Sequence, residues 1–278
     1  MRGYILKNFL IAALFLSVSV TALSKAKTEK IIGDNDLLIV DASASNIPLK
    51  YQKIVNAVGA IQFSEKDQDG KITDSYYGCT GTHLGHGYVI TAGHCVGATE
   101  TVTSRPDCDM GGDASTTISE VHFGYRENVT PFMKSKCTEV VAAMKNDETG
   151  YDFAILKVSP YPEEFILPDT TRRAATGDTV TIFSHPMGEV LQWSKSCGIE
   201  YVVHPEIPGS FIQHQCDTRP GSSGASIINV LTLKIVGVHD GGMNNIDQAT
   251  GQPLKTGINY GTYILNSPLY EELKKLGF

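Results

Sequence analysis

The sequence predicts an all-β fold, a closed barrel or a sandwich, and three observations carry that prediction. From about Ala57 onward the chain breaks into short runs rich in β-branched and aromatic residues. Clusters of Gly, Asp, Asn and Pro separate those runs, and only the last ten or so residues place their apolar positions at helical spacing. Short strands punctuated by turn residues are the sequence signature of an antiparallel β architecture.

Taken in order, the expected strands are 58–63, 76–82, 88–91, 117–123, 153–158, 179–183, 200–203, 225–229 and 234–238. Each is long enough to cross a small barrel and is bounded by residues that favour turns. The chain then closes on a helix: Ser267 and Pro268 suit a helix start, and Leu269, Leu273 and Leu276 share one face. At the other end, Arg2 and Lys7 precede an apolar run over 9–23 and a small-residue site at Ala22-Leu23-Ser24, the layout of a secretory signal peptide over residues 1–24. No later apolar run approaches the roughly 20 residues that span a bilayer. The mature protein is therefore expected to be secreted or periplasmic, monomeric and without stable membrane insertion.

The 278 residues are 41% hydrophobic and carry a net charge of −7, which becomes −9 once residues 1–24, with Arg2 and Lys7, are removed. An acidic surface repels nucleic acid and anionic lipid, so neither is expected as a partner. Export also decides how the six cysteines are read, because an even count in an oxidising compartment points to disulfides before metal or redox sites. Pairing neighbours along the chain joins Cys79 with Cys95, Cys108 with Cys137 and Cys197 with Cys216. No cofactor or metal is expected.

Residues 25–53 are polar and poorly periodic, and read as a propeptide or an extended arm, with Lys50 and Lys53 as processing points. The main domain is then 54–278. The stretch 168–178, with its threonines, arginines and Gly177-Asp178 turn, is the expected connection between halves of about 54–170 and 171–278.

Three segments carry the chemistry: Thr91-Ala92-Gly93-His94-Cys95, Asp152-Phe153-Ala154-Ile155-Leu156, and Gly221-Ser222-Ser223-Gly224-Ala225. Singly they read as a strand-end histidine, a turn aspartate and a flexible loop. Together they supply a base, an orienting carboxylate and a nucleophile in the order His94, Asp152, Ser223, the set that acyl transfer requires.

These segments resemble the trypsin-like, or chymotrypsin-fold, serine peptidases. The family motifs T-A-[AG]-H-C, D-[FIL]-A-[IL]-[IL] and G-x-S-G are all present, and Cys79 stands sixteen residues before Cys95, as the family's disulfide partner does. The resemblance implies two antiparallel β-barrels with the site in the cleft between them, a C-terminal helix and protein or peptide substrates. In such a site His94 takes the Ser223 proton, Asp152 orients the imidazole, and the N–H groups of Gly221 and Ser223 bind the oxyanion. Ser222 is the competing hydroxyl; the motif spacing selects Ser223.

Ser222 also marks a departure, since animal trypsins carry there the aspartate that pairs with a freed N-terminus. Together with Ser-Gly-Ala after the nucleophile, this is similar to a bacterial branch that includes glutamyl and lysyl endopeptidases. Two pocket readings follow. Asp217, six residues before Ser223, would pair a substrate Lys or Arg, the reading favoured here, whereas Thr218 and His239 are similar to residues that hold a substrate Glu. Gly241 lies in a stretch, 238–242, expected to receive the substrate main chain as an added strand. The run Asp67-Gln68-Asp69-Gly70 suggests a calcium loop but lacks its final acid, so a hairpin turn is expected. The rival readings are an α/β-hydrolase esterase, which needs its histidine after an acid that follows the serine, and a catalytically silent binding protein of the same fold.

Overall fold

The computed structural model describes residues 30–111, 113–202, 211–246, 253–265 and 267–278, so the expected signal peptide and the end of the 200–203 strand lie outside the described residues. The N-terminal arm supplies β1 (Leu38–Ile39), and the main domain opens on a single helical turn, α1 (Ile54–Ala57). There follow β2 (Val58–Lys66), β3 (Ile72–Gly85), β4 (Tyr88–Thr91), β5 (Thr103–Arg105), β6 (Asp109–Met110), β7 (Asp113–Phe123), β8 (Met133–Asn146) and β9 (Tyr151–Ser159). Beyond a strand-free connection come β10 (Thr179–Ser184), β11 (Gln192–Tyr201), β12 (Phe211–His214), β13 (Ser226–Asn229), β14 (Ile235–Ile246), β15 (Pro253–Tyr263) and the helix α2 (Pro268–Lys275).

These strands make two closed, antiparallel barrels of six strands each. The first runs β8-β9-β4-β3-β2-β7 and closes through β7 on β8, with β5 and β6 added outside. The second runs β11-β10-β13-β14-β15-β12 and closes through β12 on β11, with β1 of the arm added to β11. Closure removes the exposed edges that an open sheet would present.

Strand periodicity explains why several central strands read as continuous apolar runs. In β9, Ala154, Leu156 and Val158 fill the first barrel, while Phe153 and Ile155, pointing the other way, enter a cluster shared by both barrels. Val89 and Ile90 in β4, and Ile227 and Ile228 in β13, divide in the same manner. The shared cluster is where the two barrels pack together.

The arm belongs to that cluster. Val40, Ala44, Ile47 and Tyr51 are all buried, as are Ile54 and Val55 of α1 just beyond, and the Tyr51 ring lies 5.6 Å from both Phe183 and Trp193. Burying Val40 and Ile47 is worth roughly 1.5–3 kcal/mol each, so a cut at Lys50 or Lys53 that released them would strip the core. Leu269 and Leu273 of α2 pack into the same cluster. Ser267 does not cap the helix with its side chain; its hydroxyl donates instead to the Ile264 carbonyl at 2.7 Å.

Disulfides join Cys79–Cys95, Cys108–Cys137 and Cys197–Cys216. The 67–70 segment is the tip of the β2–β3 hairpin. Asp67 Oδ1 there accepts the N–H groups of Asp69 and Lys71, which spends the carboxylate on the turn itself.

Candidate active site

His94 sits on the short turn Gly93–Val96 that follows β4. A side chain at position 93 would strike the Met144 carbonyl and come within 3.0 Å of the Phe153 carbonyl, so glycine is what lets this turn lie against β8 and β9. Asp152, at the start of β9, is 1% exposed and grips His94 twice. Its Oδ1 accepts the His94 backbone N–H at 2.8 Å and its Oδ2 faces His94 Nδ1 at 2.9 Å. A carboxylate at Nδ1 keeps the proton there and leaves Nε2 as the acceptor of the ring. The His94 side chain remains 32% exposed. Asp152 is in turn tied across the cleft: its N–H donates to Thr262 Oγ1 at 2.7 Å, and that hydroxyl lies 3.3 Å from Asp240 Oδ2.

Ser223 lies on a tight turn after the Pro220 bend. Gly221 and Gly224 on either side have φ of +98° and +87°, where only glycine is unstrained. A Cβ on Gly221 would also meet the His185 carbonyl at 2.7 Å. The Ser223 carbonyl accepts the Thr80 N–H at 2.8 Å and lies 3.9 Å from Cys95 Sγ, so the Ser223 segment touches the residue that directly follows His94. Behind it, Gly224 donates to the His239 carbonyl and His239 donates to Ala225, tying the turn to β14. Ser222 points away into the second barrel: its Oγ accepts from Ser184 Oγ at 3.0 Å and from the Arg219 N–H at 3.2 Å.

The residues singled out for the pocket part company. Asp217 is 3% exposed, and its two oxygens accept the backbone N–H groups of Ile32 and Asp36 at 2.7 and 2.6 Å. Burial nevertheless holds its carboxyl above the ordinary value. It thus binds the arm. Thr218 pairs with Lys30 main chain to main chain, Thr218 N–H to Lys30 carbonyl at 2.9 Å, and its hydroxyl accepts the Lys30 N–H at 3.3 Å. Asn259 on β15 clasps the same Lys30 peptide through both ends of its side chain.

His239 is fully buried, with Nδ1 3.2 Å from His214 Nε2. Burial keeps both rings neutral, His214 down to about 3 and His239 well below the usual imidazole value, with His214 pushing His239 further. Gly241 stands on β14 against Tyr260, and among the described residues β14 beyond His239 pairs with β15 alone.

Sequence reasoning missed Thr80, Thr262, Asn259 and the Lys30–Asp36 clasp. Each acts through a partner more than 100 residues away, and none stands in a recognisable motif.

No curated protein sequence matches the chain significantly. Among solved structures, a Glu endopeptidase in complex with MPD superposes with a TM-score of 0.57 at 21% identity, covering 88% of this chain and 98% of that one. The active form of the Rv3671c protease from M. tuberculosis gives 0.51 at 15% identity, covering 99% and 95%. Both likenesses are likenesses of fold. The trypsin-like peptidase domain matches residues 79–238, more than half of the sequence and the whole span from the first disulfide to β14, and the chain therefore belongs to the trypsin-like peptidase family.

Proposed function

We propose that the protein is an exported serine endopeptidase in which Ser223, His94 and Asp152 form the catalytic triad. The observation that carries this reading is the double grip of a buried Asp152 on His94, one oxygen on the backbone N–H and one on Nδ1. That grip fixes both the place and the tautomer of the base. Ser223 Oγ attacks the scissile carbonyl carbon while its proton passes to His94 Nε2. The oxyanion forms against the N–H groups of Gly221 and Ser223, the leaving amine takes the proton from His94, and a water activated by the same imidazole then frees the acyl group. Three disulfides suit an oxidising compartment outside the cytosol.

The acidic reading of the pocket is favoured over the basic one. A Lys or Arg side chain needs a carboxylate, and that of Asp217 is already engaged by two arm N–H groups. Thr218, itself bonded to Lys30 of the arm, and the neutral, buried His239 are the groups that would serve a substrate Glu, the preference that the name of one fold neighbour also carries. Any activating cut falls upstream of Val40, because cuts at Lys50 or Lys53 would remove core side chains.

Cleavage of a peptide library by the processed protein and by Ser223→Ala, with cut sites read by mass spectrometry, tests both parts. Cutting after Glu that vanishes in the variant is expected. Cutting after Lys or Arg would return the pocket to Asp217, and no cutting at all by disulfide-bonded protein would reduce the chain to a binding module.

A further inference from the structure

The oxyanion loop belongs to the second barrel, yet the residue that holds it comes from the first. Thr80, fully buried on β3 directly after Cys79, uses its main chain and its side chain on that loop. Its N–H donates to the Ser223 carbonyl at 2.8 Å, and its hydroxyl donates to the Gly221 carbonyl at 2.9 Å. The same Oγ1 accepts the His185 N–H at 2.9 Å. His185 opens a turn, Pro186–Gly188, in which Met187 adopts a left-handed conformation and its N–H donates to the Pro220 carbonyl.

This last contact has a geometric consequence. In a trans peptide the carbonyl and the following N–H point in opposite directions, so fixing the Pro220 carbonyl on Met187 aims the Gly221 N–H the other way. Among the described residues no acceptor takes that N–H. Thr80 thus touches the loop on both sides of Ser222 and also anchors the turn that sets the Pro220–Gly221 plane.

We propose that Thr80 is a positioning residue that preforms the oxyanion-binding loop, through its hydroxyl bridge between the Gly221 carbonyl and the His185 N–H. The inference rests on the serine peptidase reading above. Among the described residues the loop is held by neutral hydrogen bonds, from Thr80 to Gly221 and from Ser184 and the Arg219 N–H to Ser222.

Thr80→Val keeps the shape and the main-chain donor but deletes the hydroxyl, and Thr80→Ala is the second variant should the first fold poorly. For a peptide that the wild type cleaves, kcat is expected to fall on the order of 10²-fold, the scale of losing one oxyanion donor, while KM moves less than about threefold. Thr80→Ser is expected to return most of the lost kcat, which a packing role for the methyl group would not allow. Amide hydrogen exchange over 219–224 is expected to quicken in the Val and Ala variants and not in the Ser variant. An unchanged kcat in Thr80→Val, or equal impairment of the Val and Ser variants, would overturn the inference. An inactive wild type would instead sink the peptidase reading, and the exchange rates alone would then decide whether Thr80 holds the loop.

Discussion

The two barrels hold their shares of the site by different means. The first barrel locks His94 locally: both oxygens of Asp152 take it, and the Cys79–Cys95 disulfide braces the turn on which it stands. The second barrel holds Ser223 and the pocket by reaching outward. The serine's turn leans on Thr80 of the first barrel, and Asp217, Thr218 and Asn259 are shared with the arm. The His94–Asp152 pair is thus nearly a property of one barrel. The placement of Ser223, Asp217 and Thr218 depends on both barrels and the arm being packed together.

The largest effect that would test this contrast is on the locked side. Asp152→Asn keeps the shape but leaves the wrong imidazole tautomer, and kcat is expected to drop about 10⁴-fold with folding intact, measured on the best library peptide. A drop of less than tenfold would mean that Asp152 is only structural. The disulfide comes next. Replacing Cys79 and Cys95 together by Ala is expected to cost about 3 kcal/mol of stability in denaturant titration, the loop-closure value for a loop of this length.

Acid should act on the other barrel. His185 titrates near 4 and His214 near 3 in the fold because burial disfavours the charged ring, and His239 is shifted the same way. Unfolded, each titrates near about 6.5. Below that value the unfolded chain takes up protons that the folded chain refuses. Stability is therefore full above about pH 6.5 and falls on acidification by about 1.4 kcal/mol per pH unit for each such histidine, until its folded value is reached. His214→Gln is expected to shallow the slope of stability against pH between about 6 and 4. The smallest effect should be that of Asp217→Asn, which loosens the arm and lowers the unfolding midpoint while changing kcat/KM less than about tenfold. A loss of several hundredfold, confined to Lys or Arg substrates, would make it the pocket base.

What the sequence revealed divides along the same line. The segments around His94, Asp152 and Ser223 are local, and each could be read from a few adjacent residues. The strands with continuous apolar runs, β2, β4, β9, β10 and β13, were legible for a related reason: both of their faces are buried, so their side chains announce themselves. β8 was not, because Lys134, Lys136, Thr138 and Glu139 are charged or polar and Val140 to Met144 includes good helix formers. β11, with Ser, Lys and Gly in its middle, and the four-residue β12 carry too little pattern to separate from loops. The arm was ambiguous because nothing in its composition says what covers Val40 and Tyr51; only the folded cleft supplies Phe183 and Trp193. The roles of Thr80 and Asp217 depend on chain segments far away in sequence, and no local pattern records them.

The claim on which everything else depends is that Ser223 is an activated nucleophile. Treatment of the disulfide-bonded protein with a serine-reactive fluorophosphonate, followed by peptide mass mapping, measures this directly. The expected result is one adduct on Ser223, lost in His94→Ala and strongly slowed in Asp152→Asn. No adduct, or an adduct on Ser222 that persists without His94, would contradict it.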